Sequence, residues 1–433
     1  MGSLRMVRAM AGLALVGHSV VASAADGGAL VDSGDTGFII VASALVLFMT
    51  LPGLALFYGG LVRAKNFLSV LMQCFAIAAL VSLIWFAGGY SLAFAAGTPW
   101  IGDLSMAGLG GLDAVRVGLT IPENVFALYQ MMFAIITPAL VIGAFPERVR
   151  FGWVMLFTAG WLLVVYIPAA HWIWGGGWMA ALGVMDFAGG IVVHTTAGVS
   201  ALVIALMIGR RKGYPQTMIP PHSPAMTMIG AGMLWVGWFG FNGGSALAAN
   251  AGAGNALLAT HLSASTAALV WALIEKIKIG KATSVGLVTG AVAGLATVTP
   301  AAGFISPLGG VLCGIGGAAV CFAAVLSIKQ RWKIDDSLDV FAVHGVGGIL
   351  GSLMLAPLAS SAFGGVGLSE GRSILDQFGI QAIGIAVVII LSVAASVVLA
   401  KLAGVIVPMR IDAEAEHDGL DLHSHGERAY EFD

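Results

Sequence analysis

Charge is what this chain has least of. Only 10% of its 433 residues are Asp, Glu, Lys or Arg, where an ordinary soluble domain carries about a quarter. That deficit excludes a soluble globular protein. Cysteine is also scarce: Cys74, Cys313 and Cys321 all fall in apolar stretches without metal-ligand spacing, which excludes a disulfide framework and leaves them as small packing residues. The net charge of -2 gives no guide to partners, and no nucleic acid is expected among them. What is abundant is apolar: 59% hydrophobic residues, a mean hydropathy of +0.96 and 61 glycines. This is the composition of an all-α polytopic membrane protein, whose glycines allow close helix packing and locally broken helices.

The first residues read as a signal peptide, 1–24: Arg5 and Arg8 precede a short apolar core from Ala9 to Val21, and Ala22-Ser23-Ala24 is a small-residue cleavage site. The mature N-terminus is then outside. Apolar stretches near twenty residues long predict eleven transmembrane helices, over 34–60, 66–95, 124–145, 151–170, 188–209, 223–247, 255–275, 283–302, 305–328, 338–360 and 377–407. Basic residues test the order independently. With the N-terminus outside, the inside loops take Arg63, Lys65, Arg148, Arg150, Arg210 to Lys212, Lys276, Lys278, Lys281, Lys329, Arg331 and Lys333. Only Arg116 and Arg372 fall outside, and the tail 409–433 is cytoplasmic.

Two histidines stand where ionisable groups are costly and so face a pore or site: His194 in GGIVVHTTAG and His344 in DVFAVHGVGG. Each follows an aspartate by eight residues, Asp186 and Asp336. One such unit closes each half of the chain, and an odd number of spans per half inverts the second half. The transmembrane domain, 25–408, is therefore expected to be a five-plus-five inverted repeat, about 34–209 and 223–360, with a final helix over 377–407 outside it.

A membrane histidine pair admits a haem or metal pair, a proton relay, or a hydrogen-bonding lining for a polar solute. Metal ligation is disfavoured, since no carboxylate or thiolate accompanies the histidines at ligand spacing. Neutral imidazoles in contact can donate and accept between themselves and turn their other nitrogens to a solute in a lumen that rejects ions. Aromatics are unusually dense: Tyr129 and Phe133 one turn apart, Trp172, Trp174 and Trp178 in HWIWGGGWM, and Trp238, Phe239 and Phe241 in WVGWFGFNGGSA. Taken singly each reads as packing or interfacial belt; together they can hold a small cation by cation–π attraction. Asp186 reads first as a helix N-cap. Ser245 offers a hydroxyl either to a substrate or to neighbouring backbone. His171 and His261 are placed toward the outer surface, His222 in a cytoplasmic connection, and His417, His423 and His425 in a solvated tail, all without evident partners.

On the motifs LPGLALFYGGLVRAKN, GAFPERVRF, YIPAAHWIWGGGW, DFAGGIVVH, GWFGFNGGS, DVFAVHGVGG and GLDLHSHGERAY, the chain resembles the Amt/Mep ammonium transporters over nearly all of its mature length. The resemblance implies a homotrimer with one pore per protomer in a bacterial inner membrane, a transporter rather than an enzyme, and no cofactor or metal. It implies that Trp174, Ser245 and Tyr129 recruit ammonium, that Phe133 and Phe241 form a gate, and that His194 and His344 with Trp238 line the pore. Asp186 resembles a buried aspartate kept near the recruitment site for structure. Ammonium, with methylammonium as analogue, would be deprotonated and conducted as ammonia. The alternative is an ammonium sensor signalling to a cytoplasmic PII-type protein, itself a plausible partner of the transporter; a membrane haem enzyme is a weaker third reading. Tyr129 departs from the phenylalanine common at its place, and the tail runs on through Glu431, Phe432 and Asp433.

Overall fold

The computed structural model describes residues 30–217 and 219–430; the expected signal peptide and the last three residues lie outside the described residues. Among the described residues all regular structure is helical apart from isolated bridges between loops. Ten segments are long and apolar enough to cross a membrane, and an eleventh is apolar but shorter. In chain order we number them α1 (Ser33–Leu61), α2 (Ala64–Phe94), α3 (Glu123–Ala144), α4 (Phe151–Leu182), α5 (Gly190–Ile208), α6 (Pro224–Gly243), α7 (Ala251–Ile279), α8 (Ser284–Val298), α9 (Pro307–Arg331), α10 (Phe341–Leu358) and α11 (Ile374–Ile406). The shorter one is α8. Where an apolar run over 283–302 predicts a full span, the helix covers 15 residues and gives way to a turn at Thr299 and Pro300, because proline cannot continue the hydrogen-bond ladder.

Local chemistry starts these helices. Ser223 and Ser306 accept the N–H of the third residue on, each followed by proline at the first helical position. Asn250 caps α7 in the same way, and Ser373 with Asp376 forms a capping box on α11. Several helices begin or end in a π turn: Gly190–Thr195 opens α5, Phe239–Gly243 closes α6 and Phe341–Gly345 opens α10. Such turns concentrate at functional positions.

Helices α5 and α10 meet through glycine. A Cβ on Gly198 would lie 2.3 Å from the Cα of Gly345, and one on Gly348 would lie 2.5 Å from the Gly190 carbonyl and 2.8 Å from the Cβ of His194. Each glycine stands four residues after its histidine, so the same small position in both halves lets the two histidine turns touch.

Away from that contact, one end of the bundle is tied by buried ions. Arg148 donates to the carbonyls of Ala144, Gly209 and Asp335 at 3.1, 2.9 and 2.7 Å and to Ser337 Oγ at 2.7 Å. Arg211 pairs with Asp335 at 2.8 Å and Glu147 at 3.5 Å, and Arg63 reaches Glu147 at 3.0 Å. Burial alone would raise the Asp335 carboxyl, yet the hydrogen bonds and charge of Arg211 and the nearby Arg148 hold it below the ordinary aspartate range.

The tail docks at this same end. It forms α12 (Ala413–Asp418) and α13 (Leu420–His425). Asp421 accepts the backbone N–H groups of Leu68 and Ser69 at 3.0 and 2.8 Å, capping α2, while Glu416 accepts from Lys212 N and Arg410 at 2.7 Å each. His222 finds the Val62 carbonyl at 2.9 Å and Tyr430 Oη at 3.2 Å. The tail is therefore folded against the basic loops, not the solvated segment its polarity suggests. Partners 352 residues away, as for Ser69 and Asp421, leave no local signature.

Candidate functional site

The site is a column of rings that starts at the end of the bundle opposite the tail. On α3, Tyr129 and Phe133 share one face, their ring centroids 5.0 Å apart. Helix α4 breaks at Trp174 in a run of three glycines, and the indole Nε1 donates to the Asp186 carbonyl at 2.8 Å, which fixes the ring edge-on to Phe133 at 5.8 Å. The π turn of α6 brings in Phe241, whose ring lies 4.3 Å from Phe133 at an interplanar angle of 31°. The phenol of Tyr129 reaches the carbonyls of Gly240 and Phe241 at 2.9 Å each and Ser245 Oγ at 3.3 Å; Ser245 in turn donates to the Phe241 carbonyl at 2.8 Å. Trp174 and Ser245 are half-buried, whereas Tyr129, Phe133 and Phe241 are buried.

Below Phe241 the column continues into the histidines. His194 stacks 5.6 Å from Trp238 and 6.1 Å from Phe241. Its Nδ1 lies 3.2 Å from Nδ1 of His344, and both rings are buried. One neutral ring must donate and the other accept in that contact, so the two hold opposite tautomers. The Nε2 of one is then an acceptor and that of the other a donor. Nε2 of His194 is buried with no hydrogen-bond partner. Beside the pair lies a cavity with about 10 Å³ of space for the centre of a water-sized molecule, room for about one such molecule. Its wall is made by Ile136, Leu140, Val193, Leu234, Val292 and other apolar side chains, with the two imidazoles its only ionisable groups.

Asp186 holds the first histidine turn by its backbone. Its Oδ1 accepts from the N–H groups of Gly189 and Gly190 at 2.9 and 2.6 Å, its Oδ2 from Ile191 and Val192 at 2.8 and 2.9 Å. Asp336 repeats the arrangement more sparingly on α10, accepting from Val340 at 3.1 Å and Phe341 at 2.8 Å. Both carboxylates sit at a helix start, where the dipole favours negative charge.

Of the residues singled out in the sequence, Ser245, Tyr129, Trp174, Asp186, Phe133, Phe241, Trp238, His194 and His344 fall on one connected path, whereas Trp172 and Trp178 pack on Trp100 and Phe239 on His261. Sequence reasoning missed Thr299, which accepts the Trp238 Nε1 at 2.9 Å and so orients that ring; its place in the turn after α8 carries no motif. His171 was also underread. It is buried, not superficial, with Nδ1 3.0 Å from the Ala93 carbonyl and Nε2 2.8 Å from that of Thr98, three residues before Trp174. Among the described residues no three His, Cys, Asp or Glu side chains gather as a metal-binding group.

Known proteins are similar to this chain over most of its length. The model of the Ammonium Transporter Family matches residues 37–430. An ammonium transporter of Bacillus subtilis (strain 168) is 44% identical over 403 residues, 92% of this chain and 98% of that one. The crystal structure of Saccharomyces cerevisiae Mep2 superposes with a TM-score of 0.80 at 36% identity, covering 89% of this chain and 88% of that chain. A solved structure titled Sensor Amt Protein reaches a TM-score of 0.85 at 28% identity, covering 90% of this chain and 98% of the other.

Proposed function

On the premise that this chain belongs to the ammonium transporter family, we propose that the ring column is its transport path, taking up ammonium at one end and passing ammonia along the histidines. Trp174, Tyr129 and Ser245 recruit the cation, two rings by cation–π attraction and the hydroxyl by accepting an N–H. Phe133 and Phe241 close the way beneath. An ion crossing there would lose its hydration without a counter-charge, a cost avoided if the cation gives its proton to water at the mouth of the path and enters as ammonia. Ammonia is neutral, about the size of water, and both donates and accepts hydrogen bonds. The imidazole pair offers it one acceptor and one donor nitrogen. Trp238, held by Thr299, walls the same space. The observation that carries this reading is the small apolar cavity lined by paired imidazoles directly under the two contacting phenylalanines.

The same reading sets the chain in a bacterial inner membrane with α8 counted as an eleventh crossing, five helices on each side of the inversion and α11 outside it. It puts the N-terminus outside after removal of a signal peptide, 1–24, and the C-terminus inside. The gathering of tail and basic loops at one end supports that orientation through the excess of Lys and Arg in cytoplasmic loops. By resemblance the protein assembles as a homotrimer and meets a PII-type regulator on the tail side. In proteoliposomes, an ammonium pulse is expected to change internal pH at a rate that scales with incorporated protein. No difference from empty liposomes would overturn the transport reading. A charge displacement in the same pulse shows that the proton is carried as well, and its absence makes transport electroneutral.

A sensor reading is favoured by one observation, the close fold match to a protein titled Sensor Amt Protein. Uptake of methylammonium by cells lacking their own transporters separates the two, since a pure sensor gives none.

A further inference from the structure

Helix α6 ends at Gly243, where the Gly240 carbonyl still accepts the N–H of Gly244 and the last turn also draws donors from side chains. Two of its carbonyls, Gly240 and Phe241, are met by the single hydroxyl of Tyr129 at 2.9 Å, and the Phe241 carbonyl also accepts Ser245 Oγ. Phe241 is the ring that lies 4.3 Å from Phe133. The backbone of one half of the gate is therefore pinned by a phenol on α3, the helix that carries the other half four residues further on. The approach is tight: a Cβ on Gly244 would lie 2.6 Å from the Tyr129 oxygen and 2.7 Å from the Cβ of Ala42, so no larger residue leaves the phenol in place.

We propose that the Tyr129 hydroxyl is a latch that holds the Phe241 turn against Phe133 and thereby makes the gate select by size, favouring ammonium over its methylated analogues. The inference rests on the reading of Phe133 and Phe241 as a gate. Tyr129 has two separable parts. Its ring belongs to the recruiting rings, whereas its hydroxyl acts through the Phe241 backbone, as a positioning group. A substrate that carries a methyl must part the two phenyl rings further than ammonia does. Its passage therefore depends more steeply on how firmly the turn is pinned. Phenylalanine at this position keeps the ring and deletes only the latch, while the Gly240 carbonyl keeps the N–H of Gly244 and that of Phe241 keeps Ser245 Oγ. A buried hydrogen bond from a side-chain hydroxyl to backbone is worth roughly a factor of two to twelve in an equilibrium.

The test compares ammonium and methylammonium transport in one proteoliposome preparation, by stopped-flow internal pH, so that the amount of folded protein cancels in the ratio. For Tyr129→Phe the maximal methylammonium rate relative to ammonium is expected to rise about five-fold. An unchanged or lowered ratio overturns the latch, and so does a shift in half-saturation alone, which would make the hydroxyl a ligand. Tyr129→Leu removes ring and hydroxyl together and is expected to raise half-saturation as well. If Tyr129→Leu and Trp174→Leu both keep the wild-type half-saturation, the recruitment reading fails, while the Tyr129→Phe ratio still decides the latch.

Discussion

Replacing Asp186 by asparagine should cost the fold about twice what the same change costs at Asp336. The argument is a count of stranded donors. Asp186 accepts four backbone N–H groups, two on each oxygen, at 2.6 to 2.9 Å. An asparagine keeps one oxygen, which can serve two of the four. Its amide then faces the other two donors, and each buried donor left unpaired costs about 1–3 kcal/mol. Loss of the charge at the helix start adds roughly 1 kcal/mol, for a total near ~5 kcal/mol, a large share of what holds a domain together. Asp336 accepts only two such groups, one per oxygen, so Asp336→Asn strands one donor and costs roughly half as much. Heating the two variants in detergent at a common scan rate, with folded protein read by size exclusion, compares them directly. Asp186→Asn should melt clearly below Asp336→Asn, and its methylammonium uptake should fall with it because the turn that carries His194 hangs from the cap. Equal melting of the two variants would refute the donor count. Wild-type melting of Asp186→Asn with a raised half-saturation for ammonium would instead mean that the carboxylate acts on the cation by its charge.

The remaining expectations concern the path itself and the ion cluster at the tail end. Trp174→Leu deletes a cation–π partner worth about 0.5–2 kcal/mol, so half-saturation for ammonium should rise roughly two- to thirty-fold with a smaller change in maximal rate, read from concentration-dependent uptake. His194→Ala should leave the elution volume on size exclusion unchanged yet alter either the transport rate or the selectivity of ammonium over potassium; unaltered values of both would remove the histidine pair from the mechanism. Thr299→Val should free the Trp238 indole and shift its fluorescence emission while leaving Trp174 recruitment intact. Because Asp335 is held below its ordinary range in the fold, the stability it contributes is complete above the unfolded aspartate value of about 3.9 and is lost as pH falls through the lower folded value. Melting temperature should therefore drop on acidification into that window, and Asp335→Asn should flatten that part of the profile while lowering stability at neutral pH.

What could be read from the sequence and what could not divide along a physical line. Apolar length and the cost of placing histidine among apolar residues are local properties, so most spans, His194, His344 and the aromatic set were legible one segment at a time. The winding of the backbone within a span is not, because a π turn and an α turn bury the same side chains with nearly the same hydropathy. Hydropathy therefore marked 283–302 as a full span although Pro300 ends the helix early, and gave no hint that both histidines ride on widened turns. Hydrogen-bond partners distant in sequence were equally invisible: Tyr129 meets Gly240 across 111 positions, His171 meets Ala93 across 78, and Asp421 meets Ser69 across 352.

The repeat joins these two kinds of information. The eight-residue interval from Asp186 to His194 and from Asp336 to His344 is a sequence fact, and its purpose appears only with the backbone in place. A carboxylate can cap a helix start from a few residues before it, and about one turn of helix then carries the chain some 5 Å along the axis to the imidazole. A buried capping residue thus sets the depth at which its histidine sits. With one such unit entering from each end, the two imidazoles reach the same level, and Gly198 and Gly348 bring them into contact. The caps differ in strength, four N–H groups against two, which makes the His194 turn the more firmly held of the pair. If proton exchange between the rings requires one of them to move, it is His344 that has the freedom to do so. Weakening its cap by Asp336→Asn should then change the rate of transport before it changes the affinity for ammonium.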